Sequence, residues 1–451
     1  MPRTERLVVI GGDAAGMSAA SQAKRMRAEL EIVAFERGAY TSYSACGMPY
    51  YVGGIVDDAE QLIARSPEEF HRRGIEVHVG HEVEEIDVAQ RRVSVRHLDD
   101  GAVRWESFDQ LVIATGAAPI RPELPGSDAT GIYGLAVLED GIRVRQAVDQ
   151  GGLKHAVIVG GGYIGLEMAE ALVMRGLDVS LVERGPAVMK TLDADMGELV
   201  SQALRGVGVS LYVEESVQGF ETRAGRVSGV TTDQRTLAAD IVILGIGTRP
   251  NSALAGAAAI PLGQSGAIKV NARMQTDVDG VWAAGDCAEA FHLVSRQPVH
   301  IALGTIANKQ GRICGINLGG GYATFPGVVG TAVSKICAVE VARTGLNEKE
   351  ARALGLEYVV GKIESTTRAG YFPGAGKITV KVVAERHTGR LLGAQLVGTE
   401  GAAKRIDVFA TALHAGMTVE QIQYLDLSYA PPFAPVWDPI LIAARKAADQ
   451  L

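Results

Sequence analysis

Residues 7–16, LVVIGGDAAG, and residues 156–165, AVIVGGGYIG, carry one pattern twice: four apolar residues, then a glycine-rich turn that opens a helix. An unbroken run of aliphatic and β-branched residues suits a strand buried on both faces, as in a parallel sheet. Glycine lets the turn bend tightly and lets the first N–H groups of the following helix approach a pyrophosphate. Each helix leads into a second apolar run, EIVAFE ending at Glu36 and DVSLVE ending at Glu183. These acids stand 20 residues after Gly16 and 18 after Gly165, the spacing of a carboxylate that accepts hydrogen bonds from ribose hydroxyls. The duplication predicts an α/β chain with two Rossmann-like dinucleotide-binding units. Gly11, Gly12, Ala15, Gly16 and Glu36 are candidate contacts in the first, and Gly160, Gly162, Gly165 and Glu183 in the second.

The echo continues downstream. DQLVIATGAAP (109–119) and DIVILGIGTRP (240–250) share an aspartate, a buried-strand pattern, a glycine and a proline. A further segment, GVWAAGDCAE (280–289), reads as a short buried strand ending in Gly285 and Asp286. There the glycine admits a ligand close to the backbone, and the carboxylate can bind a ribityl hydroxyl. The first turn departs from G-x-G-x-x-G, because Asp13 occupies the middle glycine position. A carboxylate aimed at a pyrophosphate is repelled, so either the side chain turns away or the motif is relaxed. In the second unit Glu183 would repel a 2′-phosphate and Arg184 could attract one. The acid weighs the expectation toward NADH over NADPH.

The chain has 451 residues, 47% hydrophobic and 21% charged, with a net charge of −8, which is enough for two or three domains. The acidic balance, the few aromatics and the lack of long Lys/Arg runs argue against a nucleic-acid surface. No apolar run reaches the roughly 20 residues that a membrane span needs, and MPRTERLVVIGG enters a strand without a secretory h-region. A cytoplasmic protein without a membrane partner is expected. Cys46, Cys287, Cys314 and Cys337 are too scattered for a disulfide scaffold or a zinc site, so no metal is expected.

Cys46 lies ten residues beyond Glu36, in SYSACGMPYY (42–51), with no partner cysteine two or five residues away. A paired motif carries its own resolving thiol, whereas a lone thiolate is resolved by a small thiol, an oxygen species or a flavin. A low thiol pKa is expected, from the N-terminus of the following helix and from a flavin edge.

The order GGDAAG, lone cysteine, ATG, GGGYIGLE, GxGTRPN, AAGD resembles that of the pyridine nucleotide-disulfide oxidoreductases over essentially the whole chain. The resemblance implies FAD on the first unit, with contacts at Ser42, Pro49, Thr115, Gly116 and Gly247 as well as Gly285 and Asp286. NADH or NADPH is implied on the second, where Tyr163 gates the nicotinamide, together with a C-terminal α+β domain that makes a homodimer. The implied limits are 1–112 and 246–324 for FAD, 113–245 for NAD(P)H and 325–451 for dimerisation.

The single-cysteine branch of that family holds coenzyme A disulfide and persulfide reductases alongside NADH oxidases and peroxidases. The last two typically have a histidine where this chain has Ala14, and a methyl group can neither move a proton nor bond a sulfenate. AGYFPGAGK (369–377) and LSYAPPFAPVWDP (427–439) are similar to reductase segments whose tyrosines reach the partner's cysteine, which implicates Tyr371 and Tyr429. Prolines in the second segment would hold it in a stiff path. Gln22, Arg25 and Arg73 match coenzyme A contacts, although the arginines equally suit solvated surface charges. Ala45 replaces an asparagine of some reductases.

The expected function is an FAD-dependent reductase that passes hydride from NAD(P)H to a mixed disulfide of Cys46 with coenzyme A or another small thiol. The alternatives are an oxidase or peroxidase working through a Cys46 sulfenic acid, and a flavin redox sensor without turnover.

Overall fold

The computed structural model describes residues 5–451 and contains the two expected doubly wound sheets. The first is wholly parallel, in the order Val281–Ala283, Gln110–Ile113, Arg6–Ile10, Glu31–Phe35, Glu76–His78. The second, also parallel, runs Ser210–Val213, Asp178–Glu183, His155–Val159, Ile241–Leu244, Ile132–Tyr133. Leu7, Val8 and Val9 are fully buried, as are Val157 and Ile158, because layers cover both faces of each sheet. Each sheet also carries a three-stranded antiparallel meander, His81–Asp87 to Val103–Ser107 in the first and Val217–Arg223 to Thr236–Ala238 in the second.

The sequence echo is a structural repeat down to single hydrogen bonds. Asp109 accepts the Arg6 N–H at 2.8 Å and Asp240 accepts the His155 N–H at 2.9 Å, so each aspartate pins the start of its unit's first strand. The chain crosses between the units along two antiparallel strands, Ala117–Pro119 and Thr248–Pro250, which are the tails of the two echoing segments. The strand Gln110–Ile113 belongs to the first sheet and Ile241–Leu244 to the second. The cut at 112/113 therefore passes through the last residue pair of a strand of the first sheet.

The third body is a five-stranded antiparallel sheet, in the order Ala332–Ile336, Val339–Gly345, Leu391–Gly398, Lys377–Glu385, Tyr358–Thr366. The helices Ala402–Ala415 and Pro439–Ala448 pack on it, and Phe409, Ile406 and Ala443 are fully buried. It matches the expected C-terminal α+β domain. No helix among the described residues is long and apolar enough to cross a membrane.

Candidate active site

Both glycine turns are closed to any side chain. A Cβ on Gly16 would stand 2.0 Å from the Gly11 carbonyl oxygen, and one on Gly165 would stand 2.1 Å from that of Gly160. Gly11 and Gly160 take φ of +110° and +96°, a region that side chains disfavour. In each unit the acid closes the turn in the same way. Glu36 accepts N–H groups from Gly12 and Gly38, both at 2.7 Å, and Glu183 accepts them from Gly161 and Gly185, both at 2.8 Å. One lone pair of each carboxylate oxygen is thereby fixed, and the others remain for a ribose.

Asp13 occupies the N-cap position of the helix Ala14–Met26 but makes no cap bond. Its Oδ1 instead accepts the Tyr43 N–H at 3.1 Å, and the Ser42 N–H donates to the Gly12 carbonyl at 3.0 Å. The odd residue of the first turn thus ties the phosphate cradle to the loop that carries Cys46. Ser42 bends there with φ of +50°. Burial, with Glu36 and Asp286 adding, pushes the Asp13 carboxyl up to about 6.

Two of the remaining flavin candidates, Thr115 and Gly285, abut the first turn, at Gly11 and Ala15. Thr115 Oγ1 donates to the Asn251 carbonyl at 2.6 Å, and the Asn251 side-chain amide donates to the Thr115 carbonyl at 2.9 Å; Gly116 and Gly247 turn at positive φ beside them. The Gly285 N–H donates to Gln310 at 2.8 Å, and a Cβ on Gly285 would press on that of Ala15 at 2.7 Å. Burial raises the pKa of Asp286. Pro49 lies buried in the first turn of the helix Met48–Gly53. Bare glycines at a helix start, a closing acid and a half-buried carboxylate fit the pyrophosphate, ribose and ribityl groups of FAD.

Cys46 is exposed, in the single turn Ala45–Gly47 that precedes the short helix Met48–Gly53. The other three cysteines are buried and free, so its sulfur partner must come from outside this chain. The expected low thiol pKa is corrected by the protein groups themselves. Partial burial comes first, then the charges of Glu167 and Asp286, and together they raise the Cys46 pKa. A helix of six residues has too small a dipole to offset them. Glu167 is a site residue that the sequence reading passed over. It sits one turn beyond Tyr163 on the helix Tyr163–Met174, accepts the Ser334 hydroxyl at 2.6 Å, and is itself raised by burial. Its signal was its four-residue spacing from Tyr163, which puts both on one helix face.

Tyr371 and Tyr429, far apart in sequence, come together. The Ala369 N–H donates to the Pro431 carbonyl at 3.1 Å, and the Arg405 guanidinium bonds the carbonyls of Thr367 and Phe433. Desolvation, then the charge of Tyr371 and last a hydrogen bond with it, push the Tyr429 phenol up. Tyr371 is 78% and Tyr429 47% exposed, alongside Phe433 and Trp437, which leaves an aromatic face open on the C-terminal domain. Gln22 and Arg25 join on the first helix, with Arg25 donating to Gln22 at 2.6 Å. Arg73 is exposed on the turn whose Gly74 abuts Lys24 of that helix.

Comparison with known proteins gives this geometry a context. The family model "pyridine nucleotide-disulphide oxidoreductase" matches residues 5–311, and that family's dimerisation domain matches residues 331–439. An "NAD(P)H sulfur oxidoreductase (CoA-dependent)" of Pyrococcus abyssi is 41% identical over 97% of both chains. A coenzyme A disulfide reductase of Staphylococcus haemolyticus is 30% identical over 98% of this chain and 99% of that one. An engineered water-forming NADPH oxidase bound to NADPH, a mutant of the Lactobacillus brevis NADH oxidase, superposes with a TM-score of 0.94 at 28% identity, covering 98% of each chain. Its substitutions remove an aspartate, place one arginine immediately after that position and place another seven positions beyond it.

Proposed function

Since the chain belongs to the pyridine nucleotide-disulphide oxidoreductase family, we propose that it is an NAD(P)H-dependent flavoprotein reductase in which Cys46 carries a small thiol, coenzyme A foremost, as a mixed disulfide. Flavin, bound in the first unit and between residues 246 and 324, supplies the two-electron link between NAD(P)H on the second unit and that disulfide. The reading rests above all on Cys46 being free and exposed while the other three cysteines are buried, which favours a thiol brought by a ligand. Relatives named for coenzyme A-dependent sulfur and disulfide reduction support that ligand.

The chain's own groups then have distinct tasks. Cys46 attacks the disulfide or persulfide sulfur of the substrate, forms a new S–S bond and expels a thiolate. Tyr429, assisted by Tyr371 and contributed by the partner across a homodimer built on the C-terminal domain, gives that thiolate a proton. A phenol does this without carrying charge at neutral pH. Gln22, Arg25 and Arg73 hold the nucleotide end of coenzyme A, with the arginines meeting its phosphates. The Glu36 and Glu183 carboxylates hold ribose hydroxyls, and Tyr163 covers the nicotinamide position. Four segments divide these tasks, 1–112 and 246–324 for flavin, 113–245 for NAD(P)H and 325–451 for dimerisation. Unpaired cysteines suit a reducing, cytoplasmic setting.

NADH oxidation driven by coenzyme A disulfide, with release of free thiol, tests the reading. Cys46→Ser should abolish it and Tyr429→Phe should slow it by about tenfold or more. Turnover that survives Cys46→Ser would defeat the proposal. The kinship with a water-forming oxidase gives a second reading some support, yet Ala14 leaves a sulfenate without an acid or base. Peroxide- or oxygen-driven oxidation faster than disulfide-driven oxidation would establish that reading instead.

A further inference from the structure

Beside the second glycine turn stands a buried hydroxyl without a hydrogen bond. Thr191 Oγ1 is shut off from solvent and has no hydrogen-bond partner among the described residues. Nearly all such groups in folded proteins are paired, because an unpaired one costs stability. Its neighbour is the phenol of Tyr163, the first residue of the helix that the turn opens. Burial raises the pKa of that phenol, and the Thr191 hydroxyl is the strongest influence in the opposite direction. The two side chains therefore stand within reach of each other, yet with the ring where it is they make no well-directed bond.

The loop that carries Thr191 is pinned from two sides. Toward the nucleotide unit, the Met189 N–H donates to the Gly161 carbonyl and the Leu192 N–H to the Met189 carbonyl, both at 2.7 Å. Val188 packs where a Cβ of Gly161 would stand, at 2.7 Å. Toward the C-terminal domain, the Asn347 side-chain amide donates to the Thr191 carbonyl at 3.3 Å and the Glu348 N–H to Asp193 Oδ1 at 3.0 Å. The Asp193 N–H in turn donates to Gln395 at 2.7 Å. Charges from that domain also reach the phenol, Arg343 lowering its pKa and Glu350 raising it. Those two are committed to each other at 3.2 Å, and Arg343 also donates to the Gly345 carbonyl. The hydroxyl of Thr191 is thus held at a fixed point with its bonding capacity open.

We propose that Thr191 is a positioning residue for the nicotinamide: when the Tyr163 ring moves aside to admit that group, its phenol meets the Thr191 hydroxyl, and the bond made there holds the ring clear. Phenol and hydroxyl can each donate or accept, so the pair needs no charge and no third partner. A bond made in only one of two ring positions shifts the balance toward that position by its own strength. The nucleotide then binds more tightly, because more of the protein has the ring aside. By fixing the loop, the C-terminal domain sets where the ring stops. The proposal rests on the function argued above only for Tyr163 as the cover of the nicotinamide position.

The test needs no sulfur substrate. Titration calorimetry on the flavin-loaded protein compares NAD+ with ADP-ribose, which fills the same unit but has no nicotinamide to admit. Thr191→Val keeps the shape and removes the hydroxyl; it should weaken NAD+ roughly threefold or more and leave ADP-ribose unchanged, and Thr191→Ser should restore the ratio. In anaerobic stopped-flow reduction of the flavin, the NADH concentration for half the limiting rate should rise in Thr191→Val while the limiting rate holds. The urea midpoint of Thr191→Val should hold or rise, since an unpaired buried hydroxyl is lost. Tyr163→Ala should strengthen NAD+ relative to ADP-ribose, and Thr191→Val should add nothing in that background. Equal losses for both ligands, an unchanged ratio, a lowered urea midpoint, or a full Thr191→Val effect without the Tyr163 ring would overturn the assignment. A ratio that ignores Tyr163→Ala would remove the cover along with its catch. Failure of disulfide reduction with these ratios behaving as expected would count against the sulfur chemistry alone.

Discussion

At Cys46 the largest charge acting on the thiol comes from another unit, on the helix Tyr163–Met174. Burial, Glu167 and Asp286 in that order push the thiol pKa up, so the protein's own groups oppose the thiolate. Glu167→Gln keeps the hydrogen bond to Ser334 and removes one of the opposing charges. The sign follows: with less negative charge nearby the thiolate is easier to form, and alkylation of Cys46 by iodoacetamide at pH 7.5 should be roughly threefold faster or more. Glu167 is itself raised, so the difference between the proteins should vanish as pH falls and the wild-type carboxyl takes up its proton. Equal alkylation rates across the pH range would show that Glu167 does not act on the thiol. The cysteine, the two acids and the glycines were legible because their chemistry is tied to fixed local spacings. Glu167 was not, since its role depends on the Tyr163–Met174 helix of one unit facing a loop of another. Asp13 is intermediate. The sequence flagged it as an irregularity, and only the fold reveals its bond to Tyr43.

Between elements, backbone packs on backbone where the first dinucleotide helix, Ala14–Met26, meets the helix Gly304–Leu318. Cβ atoms on Gly311 and Gly315 would stand 2.2 and 2.4 Å from the carbonyl oxygens of Ala15 and Ala19, and one on Gly319 would stand 2.6 Å from Met26 Cβ. Glycine at every fourth position makes one bare stripe on a helix face, which lets two backbones approach where ordinary side chains would hold them 8–10 Å apart. That contact brings Gln310 to Gly285, the residue before Asp286. Gly311→Val would drive a branched side chain into backbone that has no rotamer to escape through. A loss of about 3 kcal/mol is expected, read as a lower urea midpoint together with release of flavin on dilution. Retained flavin and an unchanged midpoint would mean that the helices separate freely. The strands and glycine turns of both units were readable from apolar runs and spacing. This second helix was not singled out, because three glycines weaken the helical signal and their purpose is visible only once the opposing helix is in place.

Across the whole molecule, one buried lysine couples the nucleotide unit to the C-terminal domain. Lys381, 2% exposed on the strand Lys377–Glu385, contacts Asp195 at 2.7 Å, Asp193 at 3.0 Å and Glu348 at 2.5 Å, while Lys362 reaches Asp195 at 2.8 Å. These three acids are the group among the described residues whose ligand atoms lie close enough to hold a metal ion, and the lysine ammonium occupies their centre. Gln395 brackets Asp193 with two further bonds of 2.7 Å, so the junction is satisfied on every side. Burial works against the Lys381 charge, but the hydrogen bonds it donates to Asp195, Glu348 and Asp193 outweigh that and raise its pKa. Burial likewise pushes Asp195 up, and Lys362 and Lys381 outweigh that and lower it. The lysine's contribution is therefore full below its unfolded pKa of about 10.4 and is lost only as pH rises through the still higher folded value. The contribution of Asp195 is present above its unfolded value of about 3.9 and is lost as pH falls through the lower folded one. Lys381→Met fills the volume but leaves three carboxylates facing one another, and removing one partner of a buried network costs about 3–5 kcal/mol. Urea unfolding should show that gap as nearly constant between about pH 5 and 9. It should narrow on acidification, because the crowded acids of the variant take up protons first. Hydrogen exchange should locate the loss, with protection falling in the strand Lys377–Glu385 and in the helix Ala194–Gly206 together. If only one of them loosens, Lys381 stabilises its own sheet and does not join the two bodies.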